Sequence, residues 1–101
     1  MKLTLSPVAD AEIQEAAQWY HERGAALAED FLSEVIDALG EVERHPHRFP
    51  RARQRTSRTI RHKALKRFPY EVIYQVTPQE AYIVAVAHAA RKPGYWIDRL
   101  K

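Results

Sequence analysis

YEVIYQVTPQEAYIVAVAH, residues 70–88, holds two strands and the turn between them. Tyr70–Val76 is built from β-branched and aromatic residues, the types that suit a pleated and half-buried surface. Thr77-Pro78-Gln79-Glu80 interrupts it with turn chemistry. Ala81–Ala87 then runs almost continuously apolar, which predicts a strand that is central or covered on both faces. Working back toward the N-terminus, Thr59–Leu65 has the mixed polarity of a further strand. His47–Ser57, with Pro50 and a run of arginines, reads as an exposed loop. Toward the C-terminus, Ala89–Lys101 predicts either a short helix or a segment packed across the sheet.

The N-terminal half has a different period. Lys2–Ser6 alternates, with Leu3 and Leu5 on one face, and predicts a first strand. Ser6-Pro7 is a helix start: the hydroxyl can cap free N–H groups, proline fits the first turn, and Asp10 and Glu12 suit the positive end of the dipole. Ala9, Ile13, Ala16, Ala17 and Tyr20 form the apolar stripe of that helix, and Gly24 is placed to end it. A second helix is expected over Ala25–Arg44. Ala28, Phe31, Leu32, Val35, Leu39 and Val42 recur there at spacings of three and four, and His45-Pro46 stops it. The order β-α-α-β-β-β predicts a single α+β domain over residues 1–101. A helical hairpin should cover one face of a mainly antiparallel three-stranded sheet, leaving the other face or an edge for function.

Charge is segregated along the chain. Residues 1–43 hold two basic and ten acidic side chains, whereas residues 44–67 hold ten basic ones and no acid. That basic block is Arg44, Arg48, Arg51, Arg53, Arg55, Arg58, Arg61, Lys63, Lys66 and Arg67. Such a block repels itself unless an anionic partner lies against it, either nucleic acid or an acidic peptide. Cysteine is absent, so neither disulfides nor thiolate metal sites can hold the fold. With no signal-peptide pattern and no apolar run near membrane length, a soluble cytoplasmic protein is expected. His45 and His47 flank a helix break without a third ligand, so no metal is expected, and no cofactor is implied.

The succession of elements resembles the RelE/ParE superfamily of bacterial toxins. The acidic helical hairpin ending in His45-Pro46, the Phe68–Tyr74 strand and the Val84–His88 strand carry the resemblance. So does the closing Arg91-Lys92-Pro93-Gly94-Tyr95-Trp96-Ile97-Asp98-Arg99, which is similar to the ending of plasmid-stabilisation toxins. The resemblance covers essentially the whole chain. It implies a toxin silenced in a hetero-oligomer by a cognate antitoxin, whose flexible segment wraps it. It also implies one of two targets: mRNA in the ribosomal A site for RelE-like members, or DNA gyrase for ParE-like members.

Cutting RNA needs a base for the 2′-hydroxyl, cations for the developing phosphorane and an acid for the leaving oxygen. If the chain were such a nuclease, Lys63, Lys66, Arg67, Arg91 and Tyr95 would be the candidates, with Lys63, Lys66, Arg91 and Tyr95 as the catalytic set. The departures favour the ParE-like branch. Glu71 stands where RelE-like toxins carry an arginine, and His88-Ala89-Ala90 replaces their paired basic residues. An inactive member acting only as a binding module is the remaining alternative. A free-standing DNA-binding protein is disfavoured, because no helix concentrates the basic residues. Expected partner contacts are Arg51, Arg53, Arg55, Arg58, Arg61, Lys63, Lys66, Arg67, His88 and Trp96. The simplest reading of His88 is a strand-end ring bonded to backbone or packed on Trp96. Trp19 and Tyr20 read as packing aromatics, and Tyr95 and Trp96 as a cap on the sheet.

Overall fold

The computed structural model describes residues 1–52 and 59–100, so Arg53, Arg55 and Arg58 lie outside the described residues. Four strands form one sheet in the order β1-β4-β3-β2: β1 (Lys2–Leu5), β2 (Ile60–Ala64), β3 (Tyr70–Val76) and β4 (Glu80–His88). β2, β3 and β4 are antiparallel neighbours, and β1 adds a parallel edge on β4, pairing Lys2–Leu5 with Glu80–Ile83. The expected antiparallel trio is therefore extended by the first strand into a mixed sheet.

The unbroken apolar run of β4 follows from a bulge. Ile73 pairs with Ala85 but Tyr74 pairs with Ile83, so Val84 is the extra residue. The insertion flips the side-chain alternation. Ala81, Ile83 and Val86 face the helices, while Tyr82, Val84, Ala85 and Ala87 face the opposite side. Both faces of β4 are buried, as its composition requires.

Helix α1 (Pro7–His21) starts as expected, with the Ser6 hydroxyl accepting from the Ala9 N–H at 3.1 Å. Its buried stripe is Ala9, Ile13, Ala16 and Ala17, residues small enough to let the helix approach β4 closely. Gly24 is better described as the start of the next helix. Its N–H closes α1 onto Tyr20, while its carbonyl accepts from Leu27 and Ala28 of α2 (Ala25–Arg44). Phe31, Val35, Ala38 and Val42 of α2 meet Leu65, Phe68, Val72 and Tyr74 in the larger core. Tyr20, Phe31, Phe68 and Tyr70 form a cluster of tilted and edge-on rings with centroids 5.0–6.4 Å apart. Trp19, expected to pack, is instead 50% exposed, with the Arg23 guanidinium 3.4 Å above its ring centroid.

Two further expectations are modified. The described part of the loop after α2 is not free, because Pro50 to Ala52 run antiparallel to the outer edge of β2. Ala52 N–H donates to Ile60 O at 2.7 Å and His62 N–H to Pro50 O at 3.0 Å. An edge strand leaves polar groups unpaired, and this short segment satisfies some of them. Nor is the second sheet face bare. The C-terminal tail crosses it, with Trp96 only 2% exposed against Ile60, Ile73, Val84, Ala85 and Ala87, and ends in a short 3-10 helix (Ile97–Arg99).

Candidate functional site

Where the tail leaves the second face uncovered, a cleft of about 280 Å³ opens. Its floor is Ile73, Ala87 and Trp96, and its walls carry His62, Glu71, His88, Arg91 and Lys92. Strand register makes the first pair: His62 lies opposite Ile73 and Glu71 opposite Ala64, so His62 and Glu71 are diagonal neighbours on one face. His62 Nδ1 lies 3.1 Å from Glu71 Oε2. The opposite wall follows from Gly94, whose φ of 78° is a left-handed conformation that glycine adopts without a Cβ clash. That turn carries Arg91 and Lys92 out of the strand and returns Tyr95 and Trp96 to the sheet. The Arg91 guanidinium stacks 3.9 Å from the Tyr95 ring centroid. Neither Arg91 nor Lys92 forms an ion pair among the described residues.

The tail is held by a carboxylate. Beyond Ile83, β1 no longer covers the edge of β4, and Glu12 takes over. Its side chain is 13% exposed and accepts from Val86 N–H (3.1 Å), Tyr95 O–H (2.5 Å) and Arg99 Nη1 (2.9 Å). Arg99 also donates to Val84 O at 3.3 Å. Burial pushes the Tyr95 hydroxyl far above the usual tyrosine range, and the bond to Glu12 and its negative charge add to this. Tyr95 is thus a protonated donor fixed on Glu12, poorly placed to pass a proton near neutral pH.

His88 is committed as well. Its Nδ1 accepts from Ala90 N–H at 2.9 Å, which leaves the proton on Nε2 in the neutral ring. The ring packs edge-on against Tyr70 at 4.9 Å, rather than on Trp96. It sits between the cationic cleft and a second, larger one of about 540 Å³, walled by Ala16, Trp19, Tyr20, Pro69 and Tyr70.

The described residues of the basic block do not form one surface. Arg61 turns toward the helices and donates to Phe49 O at 2.7 Å. Lys63 lies on the same side, 5.2 Å from the Phe49 ring, and with Lys66 it lines a small cleft whose other wall is Glu34, Asp37 and Glu41 of α2. The Glu34 carboxylate accepts the backbone N–H groups of Lys66 and Arg67, and the Arg67 side chain reaches Asp30 at 3.4 Å. Arg67 thus pairs with α2, whereas Lys63 and Lys66 lie near its acids without an ion pair among the described residues. Arg51 is exposed and bridges to Arg61 through its backbone. Of the residues expected to cut RNA, Lys63 and Lys66 therefore face α2, while Arg91 and Tyr95 belong to the tail side. Trp96 is core, only 2% exposed where it contributes to the cleft floor.

Sequence reasoning missed His62, Glu12 and the role of Lys92. Placing β2 against β3 in register would have brought His62 beside Glu71. No local pattern ties Glu12 to Tyr95 and Arg99, which lie more than eighty positions away.

The sequence model described as "ParE toxin of type II toxin-antitoxin system, parDE" matches residues 3–93. Among solved structures, the chain is similar to one titled "Chromosomal ParDE TA system from P. aeruginosa". The TM-score is 0.76 at 16% identity, covering 87% of this chain and 95% of that one. No curated protein sequence matches.

Proposed function

We propose, from the premise that this chain belongs to the ParE toxin family of type II toxin–antitoxin systems, that it acts in the cytoplasm by binding DNA gyrase and is neutralised by a cognate antitoxin. The observation that supports gyrase binding over RNA cleavage is the dispersal of the candidate nuclease residues. Lys63 and Lys66 stand against Glu34, Asp37 and Glu41, whereas Arg91 and Tyr95 stand on the tail side with Tyr95 bound to Glu12. A binding toxin needs none of these groups to converge on one atom, whereas a nuclease does.

The antitoxin segment is proposed to run along the sheet and meet the cations of the Arg51–Arg67 block, Arg53, Arg55 and Arg58 among them. Reversing those charges should weaken antitoxin binding; unchanged affinity would remove this part of the proposal. The branch is tested by inducing the chain alone in bacteria. An SOS response with intact mRNA is expected, and codon-phased mRNA cuts without DNA damage would overturn the gyrase reading.

A further inference from the structure

We infer that the cleft over the His62–Glu71 pair is a receptor for a carboxylate side chain of an acidic, partly apolar peptide. This deepens the proposed capture by a protein partner and rests on that reading for the peptide's biological source.

The electrostatic case begins with what is unspent. Arg67 pairs with Asp30 of α2 and Arg99 with Glu12, while Lys63 and Lys66 share a small cleft with Glu34, Asp37 and Glu41. Arg91 and Lys92 form no ion pair among the described residues, and both line the cleft, Arg91 also bordering the second cleft with Glu12 and Glu15. The Arg91 guanidinium carbon lies 3.9 Å from the Tyr95 ring centroid, and its N–H groups, without a hydrogen-bond partner among the described residues, can form charge-assisted bonds with a carboxylate. On the opposite wall, the bond from Nδ1 to Glu71 occupies one nitrogen of His62; Nε2 has no hydrogen-bond partner among the described residues. Glu71 is the one acid on the described lining, and it is engaged by His62, so the cleft keeps a cationic balance.

Shape selects the class of anion. The floor of Ile73, Ala87 and Trp96 suits the methylene stem of a glutamate, and about 280 Å³ accommodates a side chain rather than a stacked strand. Single-stranded nucleic acid would need open aromatic faces to stack on. Here Trp96 is buried, and Tyr95 carries Arg91 at 3.9 Å and Arg99 at 4.9 Å from its ring centroid.

The test is an NMR titration of the isotope-labelled full chain with acetyl-Leu-Glu-Leu-Glu-Leu-amide, in parallel with a short oligothymidylate. The peptide is expected to shift the resonances of His62, Arg91 and Lys92. R91A combined with K92A should weaken it about tenfold, the loss of a charge-assisted contact. E71Q removes the like charge and should tighten binding. An unchanged spectral dispersion confirms that each variant is folded, since Arg91 and Lys92 are exposed. Shifts confined to other surfaces, equal affinity in the R91A/K92A variant, or cleft shifts with the oligothymidylate alone would each overturn the inference. Growth inhibition by the unaltered chain is scored separately: its absence would count against the toxin reading and leave the peptide result standing.

Discussion

The two faces of the sheet are built on different principles. Under the helical hairpin, one aromatic and aliphatic core joins both helices to β3 and β4, and Arg67 at its rim pairs with Asp30 of α2. Under the tail, a smaller core centres on Trp96, and the segment that covers it hangs on the Glu12 carboxylate while Arg91 and Lys92 stay unanswered. The larger core lies on the first face and the cleft with Arg91 and Lys92 on the second. A long basic run in the sequence is therefore not one continuous surface: among its described residues Arg61 donates to Phe49 O, Arg67 pairs with Asp30, and Arg51 is exposed.

The largest expected effect separates the faces directly. Phe31→Ala should cost near the upper end of the range for deleting a buried aromatic, about 5 kcal/mol, because its site between α2 and the sheet is hemmed in on all sides. Trp96→Ala should cost less, about 3 kcal/mol, since the tail can settle into the space. Equal losses in denaturant titrations would break the comparison.

Glu12→Ala comes next, at about 3 kcal/mol or somewhat less, because it strands the partly buried Arg99 and leaves Val86 N–H without its acceptor. Hydrogen exchange should show the tail amides losing protection while α2 keeps its own. Uniform loss would mean that Glu12 holds the whole fold rather than the tail.

Smaller effects sharpen the picture. Tyr74→Phe removes the 2.8 Å bond from its hydroxyl to Pro46 O and should cost about 1 kcal/mol. Burial pushes the Tyr74 hydroxyl up to about 12, against an ordinary value of 10.0. Its folded pKa is raised, so its contribution is intact below 10.0 and is lost as pH climbs toward about 12. The alkaline stability curve of Tyr74→Phe should accordingly be flatter in that window. Smallest of all, Arg67→Ala breaks an ion pair whose side chains are 65% and 48% exposed, and should change stability by no more than about 0.5 kcal/mol.

Much of the fold was legible because its signals are local. The bounds of α2 and β3 follow from apolar spacing and composition, with His45-Pro46 ending the helix and the Thr77-Pro78-Gln79-Glu80 turn ending the strand. The Val84 bulge was not legible: a continuous apolar run hides which residue is extra. The site was less visible still. Arg67 read as a partner contact until the fold brought Asp30 to it, and Glu12 read as a helix-dipole residue until the tail returned to it. These are long-range pairings, fixed by topology rather than by spacing.

The most direct test of the gyrase reading is a supercoiling assay with purified gyrase and the purified chain. Loss of supercoiling, or accumulation of gyrase-linked DNA breaks, at roughly stoichiometric toxin is the expected result. Undiminished supercoiling, together with cutting of ribosome-bound mRNA by the same preparation, would contradict it.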